Sequence, residues 1–279
     1  MKQKTFDQIK WIIIIVLLLL ITGNQVYGAE KQLLLATTTS TDNTGLLDYL
    51  APKFTAATGA ELKWVATGTG KALKLGENCD ADVLMVHAPP AEIKYVEAGF
   101  GINRRQIMYN DFVFIGPEKG PAVLKGQSVC NLLEAINENK ALFTSRGDNS
   151  GTNKKEISLW KECRQNVPEK EHWYLQTGQG MLATINVAAE RNGYTMTDRG
   201  TYIKYESNHQ GNPPLEIVGE GDTRLMNQYS VIEVNPLRCP KVRNKLARQF
   251  GDWMVSQEGQ KAIADFRLLG KQLFIPNAE

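Results

Sequence analysis

The sequence has almost no net positive charge that could attract a polyanionic partner. Its 279 residues contain 32 lysines and arginines against 30 aspartates and glutamates, which leaves a formal charge of +2 at pH 7. Residues 1–28, which we expect to be removed, carry three lysines and one aspartate, so 29 residues of each sign remain. Broad binding to nucleic acid or membrane surfaces needs clustered lysine and arginine. We therefore expect no nucleic-acid partner, and an anionic ligand must be held by a local site.

Cysteine is scarce and is not arranged for metal binding. The four cysteines are widely spaced, and none has the C-x-x-C spacing of a zinc site: Cys79, Cys130, Cys163 and Cys239. Export would allow up to two disulfides, with three possible full pairings, and buried free thiols are the alternative. The sequence alone does not choose among these states. We expect no metal cation and no cofactor.

Two signatures of phosphate chemistry are also missing. Gly70-Lys71 suggests a nucleotide-binding P-loop, but that motif needs glycine and serine or threonine where the sequence has Val65 and Ala72. An exported phosphatase or sulfatase would need a base beside a serine or threonine nucleophile. The sequence has three histidines, all outside the turns rich in threonine and serine: His87, His172 and His209. We expect each to be solvated or satisfied structurally, and the protein not to be an enzyme.

Long hydrophobic runs are absent except near the start of the chain. Residues 2–10 carry three lysines, residues 11–21 are apolar, and small residues near Gly28 precede Ala29. This is the layout of a secretory signal peptide, residues 1–28. The apolar run is shorter than the roughly 20 residues of a spanning helix, so an uncleaved anchor is the weaker alternative. We therefore expect an exported protein.

Short apolar runs alternate with helical patterns along the rest of the chain. Residues 33–36, 61–66 and 82–87 are predicted as buried strands, and each is followed by a helical pattern. This alternation predicts an α/β fold with mixed, mainly parallel sheets flanked by helices. Near the end, residues Pro240 to Phe266 are predicted to be helical, and their apolar stripe is expected to belong to the core.

Two long extended runs suggest a division into lobes. Residues 106–117 and 229–236 are interpreted as strands that cross between them. We accordingly expect lobe 1 to comprise residues 29–113 with 231–279, and lobe 2 to comprise residues 114–230. In open α/β sheets, ligands lie beyond the carboxyl ends of the strands, which places the site in the cleft.

The stretch TSRGDNSGTN, residues 144–153, is the strongest indication of a binding site. It predicts a strand, a tight turn and a helix start. A helix N-terminus carries about half a positive charge and several unpaired N–H groups, and Arg146 adds a permanent charge beside them. The alternative is an ordinary surface turn in which Arg146 pairs with Asp148. Two further turns rich in Thr, Ser and Gly, at 37–45 and 67–70, also precede helical patterns.

Donor-rich turns of this kind suit a small, fully deprotonated dianion. Such an ion accepts hydrogen bonds and donates none, so its ideal cage contains hydroxyls and backbone amides acting as donors. A phosphate that keeps one proton would need an acceptor as well. Asp148 is a candidate for that acceptor, or it simply holds Arg146 in place, and the sequence leaves both interpretations open.

Five motifs, in this order, resemble the tungstate-binding proteins of bacterial ABC uptake systems. They are ATTTS at 36–40, GTG at 68–70, SRGDNSGT at 145–152, ATINVAAE at 183–190 and TDRGTY at 197–202. The resemblance runs over nearly all of the chain after residue 28. Only the R-x-x-x-S-G-T part, from Arg146 to Thr152, is shared with phosphate-binding proteins, so a phosphate-binding protein of an ABC importer is the alternative.

The resemblance implies a two-lobed periplasmic binding protein of type II. Such a protein closes on an oxyanion in the cleft between its lobes and delivers it to an ABC permease in the inner membrane. It implies tungstate, or molybdate, as the ligand, and a monomer. The implied ligand-binding residues come from three turns: Thr38, Thr39, Ser40, Thr69, Arg146, Ser150, Gly151 and Thr152.

Overall fold

The computed structural model describes residues 31–117 and 128–278, so the predicted signal peptide, residues 1–28, lies outside the described residues. No helix within these ranges is both long and apolar enough to cross a bilayer. The described helices are α1 (Thr39–Asp42), α2 (Leu46–Thr58), α3 (Thr69–Glu77), α4 (Pro89–Glu97), α5 (Val129–Glu138), α6 (Gly151–Glu162), α7 (Met181–Glu190), α8 (Arg199–Asn208), α9 (Asn244–Val255) and α10 (Gln257–Asp265). The described strands are β1 (Gln32–Thr38), β2 (Glu61–Thr67), β3 (Val83–Val86), β4 (Gly101–Gly116), β5 (Phe143–Ser145), β6 (Tyr174–Gln176), β7 (Thr195–Asp198), β8 (Glu216–Gly219), β9 (Met226–Val234), β10 (Arg267–Leu268), β11 (Lys271–Gln272) and β12 (Ile275–Pro276).

The main sheet is built around the two long strands, β4 and β9. Six strands follow the order β12-β4-β9-β3-β1-β2, while β7 and β8 also pair with β4. The first part of β4 pairs with β9, up to Asp111 opposite Met226. From Phe112 opposite Asp198, β4 pairs with β7 instead. One continuous strand therefore changes partner near its middle, and it ties two parts of the molecule together.

The sheet is covered on both faces, as the apolar runs predict. In β3, Val83 and Met85 belong to one buried cluster, which packs on α2 and α9. Leu84 and Val86 point to the other face, into a cluster with residues of α3 and α4. This period of two is the geometry of a strand. Burying each such aliphatic side chain stabilises the fold by about 1.5–3 kcal/mol.

The later part of β4 organises a second pair of apolar clusters. Phe114 packs with Phe143 and Trp160, whereas Val113 and Ile115 pack on the opposite side with residues of α7 and α8. Residues from Leu33 onward group as a single unit, and the lobe boundaries given above remain a prediction.

The sheet is mixed, and its balance differs from the mainly parallel pairing expected. β1 pairs parallel with β3, and β5 pairs parallel with β6. The pairings of β9 with β3 and β4, and of β4 with β7, β8 and β12, are antiparallel. The crossing strands cause the difference, because periodicity identifies a buried strand but carries no information on the direction of its partner.

The stretch expected to be helical, from Pro240 to Phe266, contains two helices, α9 and α10. Ser256 is extended, with φ −68° and ψ 161°, and its side chain accepts a hydrogen bond from the Gly259 amide. A Cβ on Gly259 would lie 2.1 Å from the Trp253 carbonyl oxygen. The serine therefore ends one helix and caps the next, and only glycine allows the two helices to approach this closely.

Two disulfides settle the state of the cysteines. Cys79 pairs with Cys239 and Cys130 pairs with Cys163, and no free cysteine remains. The first bridge joins residues 160 positions apart, and the second joins residues 33 positions apart. Each restricts the unfolded chain, and the longer closed loop restricts it more.

We expect the Cys79–Cys239 bridge to stabilise the protein more than the Cys130–Cys163 bridge. The chain-entropy relation gives about 1.4 kcal/mol more for the longer loop, on top of roughly 2–4 kcal/mol for the shorter one. Urea unfolding of C79A/C239A and C130A/C163A double variants would measure both losses. Equal losses, or a larger loss for the second variant, would contradict this expectation.

Candidate functional site

All eight predicted site residues surround one cavity of about 230 Å³. They reach it from the turn after β1, the start of α3, and the turn between β5 and α6. The cavity lies near the point where β4 changes partner, because Asn110 and Phe112 of that strand also line it. The other lining residues are Thr44, Thr67, Gly68, His87, Asp198, Asn227 and Tyr229.

The first wall is a cluster of hydroxyl groups at the end of β1. Thr38 is the N-cap of α1, and its Oγ1 accepts from the Thr41 amide. The same oxygen lies 3.1 Å from Ser40 Oγ and 2.7 Å from Thr41 Oγ1. Thr38 and Thr41 are buried, whereas Thr39 and Ser40 are exposed. The buried hydroxyls therefore hold the short helix in place, and the exposed ones face the open space.

The second wall is the N-terminus of α3, which has no side-chain cap. Gly68 occupies the N-cap position without a side-chain hydrogen bond, and Thr69 is the first residue of the helix. A Cβ added to Gly68 or Gly70 would meet no atom within 4 Å. The first N–H groups of a helix have no intrahelical acceptor. These amides are therefore available to an external acceptor such as an anion.

The third wall is the turn that carries Arg146. Gly147 and Asn149 adopt positive φ, at 61° and 62°, which bends the chain sharply between β5 and α6. A Cβ on Gly147 would lie 2.7 Å from Gln176 Cβ, so glycine is required there. Ser150 caps α6 by accepting from the Asn153 amide. Gly151 and Thr152 then place the first amides of a 12-residue helix beside the cavity.

Arg146 is held by Asp148 but keeps unused donors. One terminal nitrogen donates to Asp148 Oδ2, and the guanidinium Nε is buried without a partner among the described residues. The Arg146 side chain is 19% exposed. A buried donor without an acceptor costs about 1–3 kcal/mol.

Asp148 is committed to the turn itself and does not line the cavity. Its Oδ1 accepts a hydrogen bond from the Ser150 amide at 3.2 Å, and its Oδ2 accepts one from the Arg146 guanidinium. Burial raises the pKa of this carboxyl, but hydrogen bonds from Ser150 and Arg146 outweigh burial and hold the pKa below its ordinary value. Asp148 is therefore a carboxylate that orients Arg146. The surface-turn alternative correctly paired these two residues, but it did not place Arg146 at a cavity.

A buried carboxylate, Glu156, fixes the base of the Arg146 turn. It accepts hydrogen bonds from Ser145 Oγ, from Trp160 Nε1 at 2.9 Å and from the Tyr174 hydroxyl at 2.7 Å. Asn153 adds a donation from Nδ2 to Ser145 Oγ at 3.2 Å. Ser145 directly precedes Arg146, so this network sets where the guanidinium projects. Burial raises the pKa of Glu156, while the hydrogen bonds oppose that rise.

His87 was expected to be solvated or satisfied structurally and was not assigned to the site. The ring is satisfied structurally, as expected, but it lines the cavity. Its Nε2 lies 3.1 Å from Thr38 Oγ1 and 3.2 Å from Ser40 Oγ. No local pattern in the sequence links these residues, since 47 positions separate Ser40 from His87. The position of His87 in the sequence could have indicated that it lines the cavity. It directly follows β3, and the carboxyl ends of parallel strands gather at one edge of a sheet.

Three further residues, which were not assigned to the site from the sequence, reach the cavity from the later strands. Asn227 and Tyr229 belong to β9, and Asp198 ends β7. Asp198 caps α8, because its carboxylate accepts from the Thr201 amide at 2.8 Å and the Thr201 hydroxyl at 2.7 Å. It lay inside one of the recognised motifs but was not assigned to the site.

A larger cavity of about 500 Å³ is a poorer candidate for an anion site. Its lining includes Arg199, Asp111 and Asp222. Asp111 binds the Arg199 guanidinium through both oxygens, at 2.5 Å each, and Glu220 adds a third contact at 2.8 Å. This positive charge is therefore already neutralised by carboxylates. The smaller cavity, with its hydroxyls, helix starts and Arg146, has the chemistry of an anion site.

Comparison with known proteins gives a consistent family likeness. A sequence model of the PBP superfamily domain matches residues 25–258. The tungstate-binding protein TupA of Campylobacter jejuni is 52% identical over 240 residues, which cover 86% of this chain and 89% of that protein. The structure of the tungstate-binding protein TupA from Desulfovibrio alaskensis G20 is 64% identical with a TM-score of 0.87, and the match covers 89% of this chain and 99% of that one. A structure described as the tungstate ABC transporter from Geobacter sulfurreducens is 42% identical with a TM-score of 0.73, covering 86% of this chain and 100% of that one.

Replacing Glu156 by alanine should destabilise the protein by about 3 kcal/mol or more. The substitution leaves three buried donors without their acceptor, and each such donor costs about 1–3 kcal/mol. Glu162→Ala is the matched control on the same helix, because Glu162 is exposed and surface changes stay within about 0.5 kcal/mol. Urea unfolding measures both. Similar losses for the two variants would show that the Glu156 network does not hold this turn.

Proposed function

Because the chain belongs to the periplasmic-binding-protein superfamily, and within it to the tungstate-binding proteins, we propose that it captures tungstate and delivers it to an ABC importer. The family and the mixed α/β periplasmic-binding-protein fold expected from the sequence are both confirmed by the relatives. The ligand is held in the cavity lined by Thr38, Arg146 and Thr152. The protein acts as a monomer in the periplasm, and an inner-membrane permease is its partner.

The unpaired Nε of Arg146 is the observation that carries this proposal. It is a buried donor without a partner among the described residues, on a permanent cation at the edge of the cavity. Amides at the starts of α3 and α6 and the hydroxyls at the end of β1 add further donors. The volume of about 230 Å³ lies below the roughly 300–1,000 Å³ of pockets for drug-sized ligands. Size and chemistry together favour a small inorganic anion.

The role of Asp148 favours a fully deprotonated anion over phosphate. Hydrogen phosphate needs an acceptor for its proton, and Asp148 was the candidate acceptor. Asp148 does not line the cavity, and both of its oxygens are engaged by Ser150 and Arg146. Asp198 does line the cavity, but Thr201 already donates one hydrogen bond to each of its oxygens. Tungstate and molybdate, which carry no proton as dianions, suit this donor-rich arrangement better.

One observation favours a second function, an exported phosphatase or sulfatase. Ser40 Oγ lies 3.2 Å from His87 Nε2, and His87 Nδ1 lies 2.9 Å from Asn227 Oδ1. A nucleophile, a base and an orienting amide have this arrangement in hydrolases. The same ring nitrogen is shared with Thr38 Oγ1 at 3.1 Å, and the relatives are named for binding. We therefore propose a carrier without catalysis. Turnover of p-nitrophenyl phosphate or sulfate that is lost in Ser40→Ala would establish the enzyme instead.

Arg146→Ala should weaken tungstate binding by at least roughly 30-fold. Removing one partner of a buried charge-assisted contact costs about 2–5 kcal/mol, and 1.4 kcal/mol corresponds to tenfold in Kd. Arg224→Ala is the matched control, since Arg224 pairs with Asp222 outside the cavity and is 43% exposed. Isothermal titration calorimetry on the protein lacking residues 1–28 gives both affinities. Unchanged affinity in Arg146→Ala would remove Arg146 from the site.

Separate calorimetric titrations with tungstate, molybdate, sulfate and phosphate test the ligand itself. We expect tungstate to bind, and phosphate to bind at least roughly tenfold more weakly, because its proton must compete for acceptors that protein donors already use, and an unpaired buried donor costs about 1–3 kcal/mol. Phosphate displacing tungstate at equal concentration would favour a phosphate carrier. Absence of binding by all four anions would contradict the carrier function.

A further inference from the structure

His87 lies between the hydroxyl cluster and the floor of the cavity. It directly follows β3, whose last residue, Val86, is opposite Ser230 of β9. The imidazole stacks on Tyr229 with ring centroids 4.7 Å apart and planes 29° apart. A partly buried ring clamped in this way has a fixed orientation. Its two nitrogens therefore point at defined partners.

The hydrogen bonds assign different roles to the two ring nitrogens. Asn227 Nδ2 donates to Asn110 Oδ1 at 2.8 Å, which turns Asn227 Oδ1 towards the ring. That oxygen lies 2.9 Å from His87 Nδ1, so Nδ1 carries the proton and donates. In the neutral ring Nε2 is then an acceptor. It can take one hydroxyl proton, from Thr38 at 3.1 Å or from Ser40 at 3.2 Å.

We propose that His87 is a positioning residue of the oxyanion site and that it takes up a proton when the anion binds. The proposal rests on the proposed function. In the empty site, the neutral ring holds one hydroxyl proton of the Thr38–Ser40 pair at Nε2. In the loaded site, a proton from solvent binds Nε2, which then donates to one of these oxygens. Both hydroxyl groups can then donate their hydrogen bonds to other acceptors, such as the anion in the cavity.

The charges around His87 set the sign of this coupling. Burial lowers the pKa of the ring, against the hydrogen bond to Asn227 and the attraction of Asp198, so the empty site favours the neutral form. A dianion in the cavity favours the charged form, as any opposite charge nearby does. The carboxylate of Glu92, at the start of α4, accepts hydrogen bonds from the Ala88 amide and from Arg104. The remaining titratable or charged groups that line the two cavities touching His87 are Arg146, Lys154, Lys155, Glu162, Asp198 and Tyr229.

The coupling makes tungstate affinity depend on pH in a defined direction. The ring pKa in the empty site lies below the ordinary value of 6.5, and it is higher in the loaded site. Affinity therefore rises as pH falls through the loaded-state pKa, and it levels off below the empty-state pKa. Each unit by which the anion raises the ring pKa contributes about tenfold in affinity over that window.

Calorimetry of tungstate binding in buffers of different ionisation enthalpy tests the proposal. For the wild-type protein lacking residues 1–28, we expect net proton uptake of up to one proton, largest at pH values between the ring pKa of the empty site, which lies below 6.5, and the higher ring pKa of the loaded site. His87→Gln should bind several-fold more weakly, take up no proton and lose the pH dependence. His172→Gln is the matched control, because His172 is exposed and does not line the cavity, and it should behave as the wild type.

Tungstate binding without proton uptake, or with the same uptake in His87→Gln, would overturn the inference and leave the carrier function standing. No tungstate binding by the wild type would instead contradict the carrier function, and this inference with it.

If His87→Gln fails to fold, as judged by thermal unfolding, NMR titration of the wild type decides. The chain has three histidines, so the ring of His87 can be followed with and without tungstate. An equal ring pKa in both states would refute the coupling.

Discussion

The change of partner along β4 is the constraint on which the site depends. Up to Asp111 this strand pairs with β9, and from Phe112 it pairs with β7. The switch brings strand ends from both parts of the sheet to one edge, where parallel strands and helix starts leave donors unpaired. Asn110 and Phe112 lie at the switch itself and line the cavity. Without this pairing, the hydroxyl cluster after β1 and the Arg146 turn after β5 would have no reason to meet.

The two carboxylates nearest the site, Asp148 and Asp198, already accept hydrogen bonds from protein donors. Ser150 and Arg146 engage Asp148, and Thr201 engages both oxygens of Asp198. The Nε of Arg146 has no partner in the described part of the chain, and the α3 start has no side-chain cap. An imbalance of this kind selects for an ion that only accepts hydrogen bonds. Selectivity would then come from the proton a ligand carries as well as from its charge.

Buried partners hold Arg146 and His87 in fixed positions at the site. The Glu156 network fixes the residue before Arg146, and stacking on Tyr229 together with Asn227 fixes His87. Because both groups are held by buried partners, little side-chain entropy is lost when an anion arrives. The hydroxyls between them remain the adjustable part of the site, since a hydroxyl hydrogen rotates to suit its partner at low cost.

The sequence by itself determined the local elements of the site. Glycines with serine or threonine after apolar runs specify strand, turn and helix start, and the eight predicted residues come from three such segments, which the tertiary structure brings to one cavity. These are local preferences of backbone and cap, and they can be read from neighbouring residues. Only the tertiary structure decided that Cys79 pairs with Cys239, that β4 and β9 run antiparallel, and that His87 lies beside Thr38 and Ser40. Those facts depend on contacts between residues far apart in the chain, and hydrophobic periodicity records that a side chain is buried but not which distant side chain it meets.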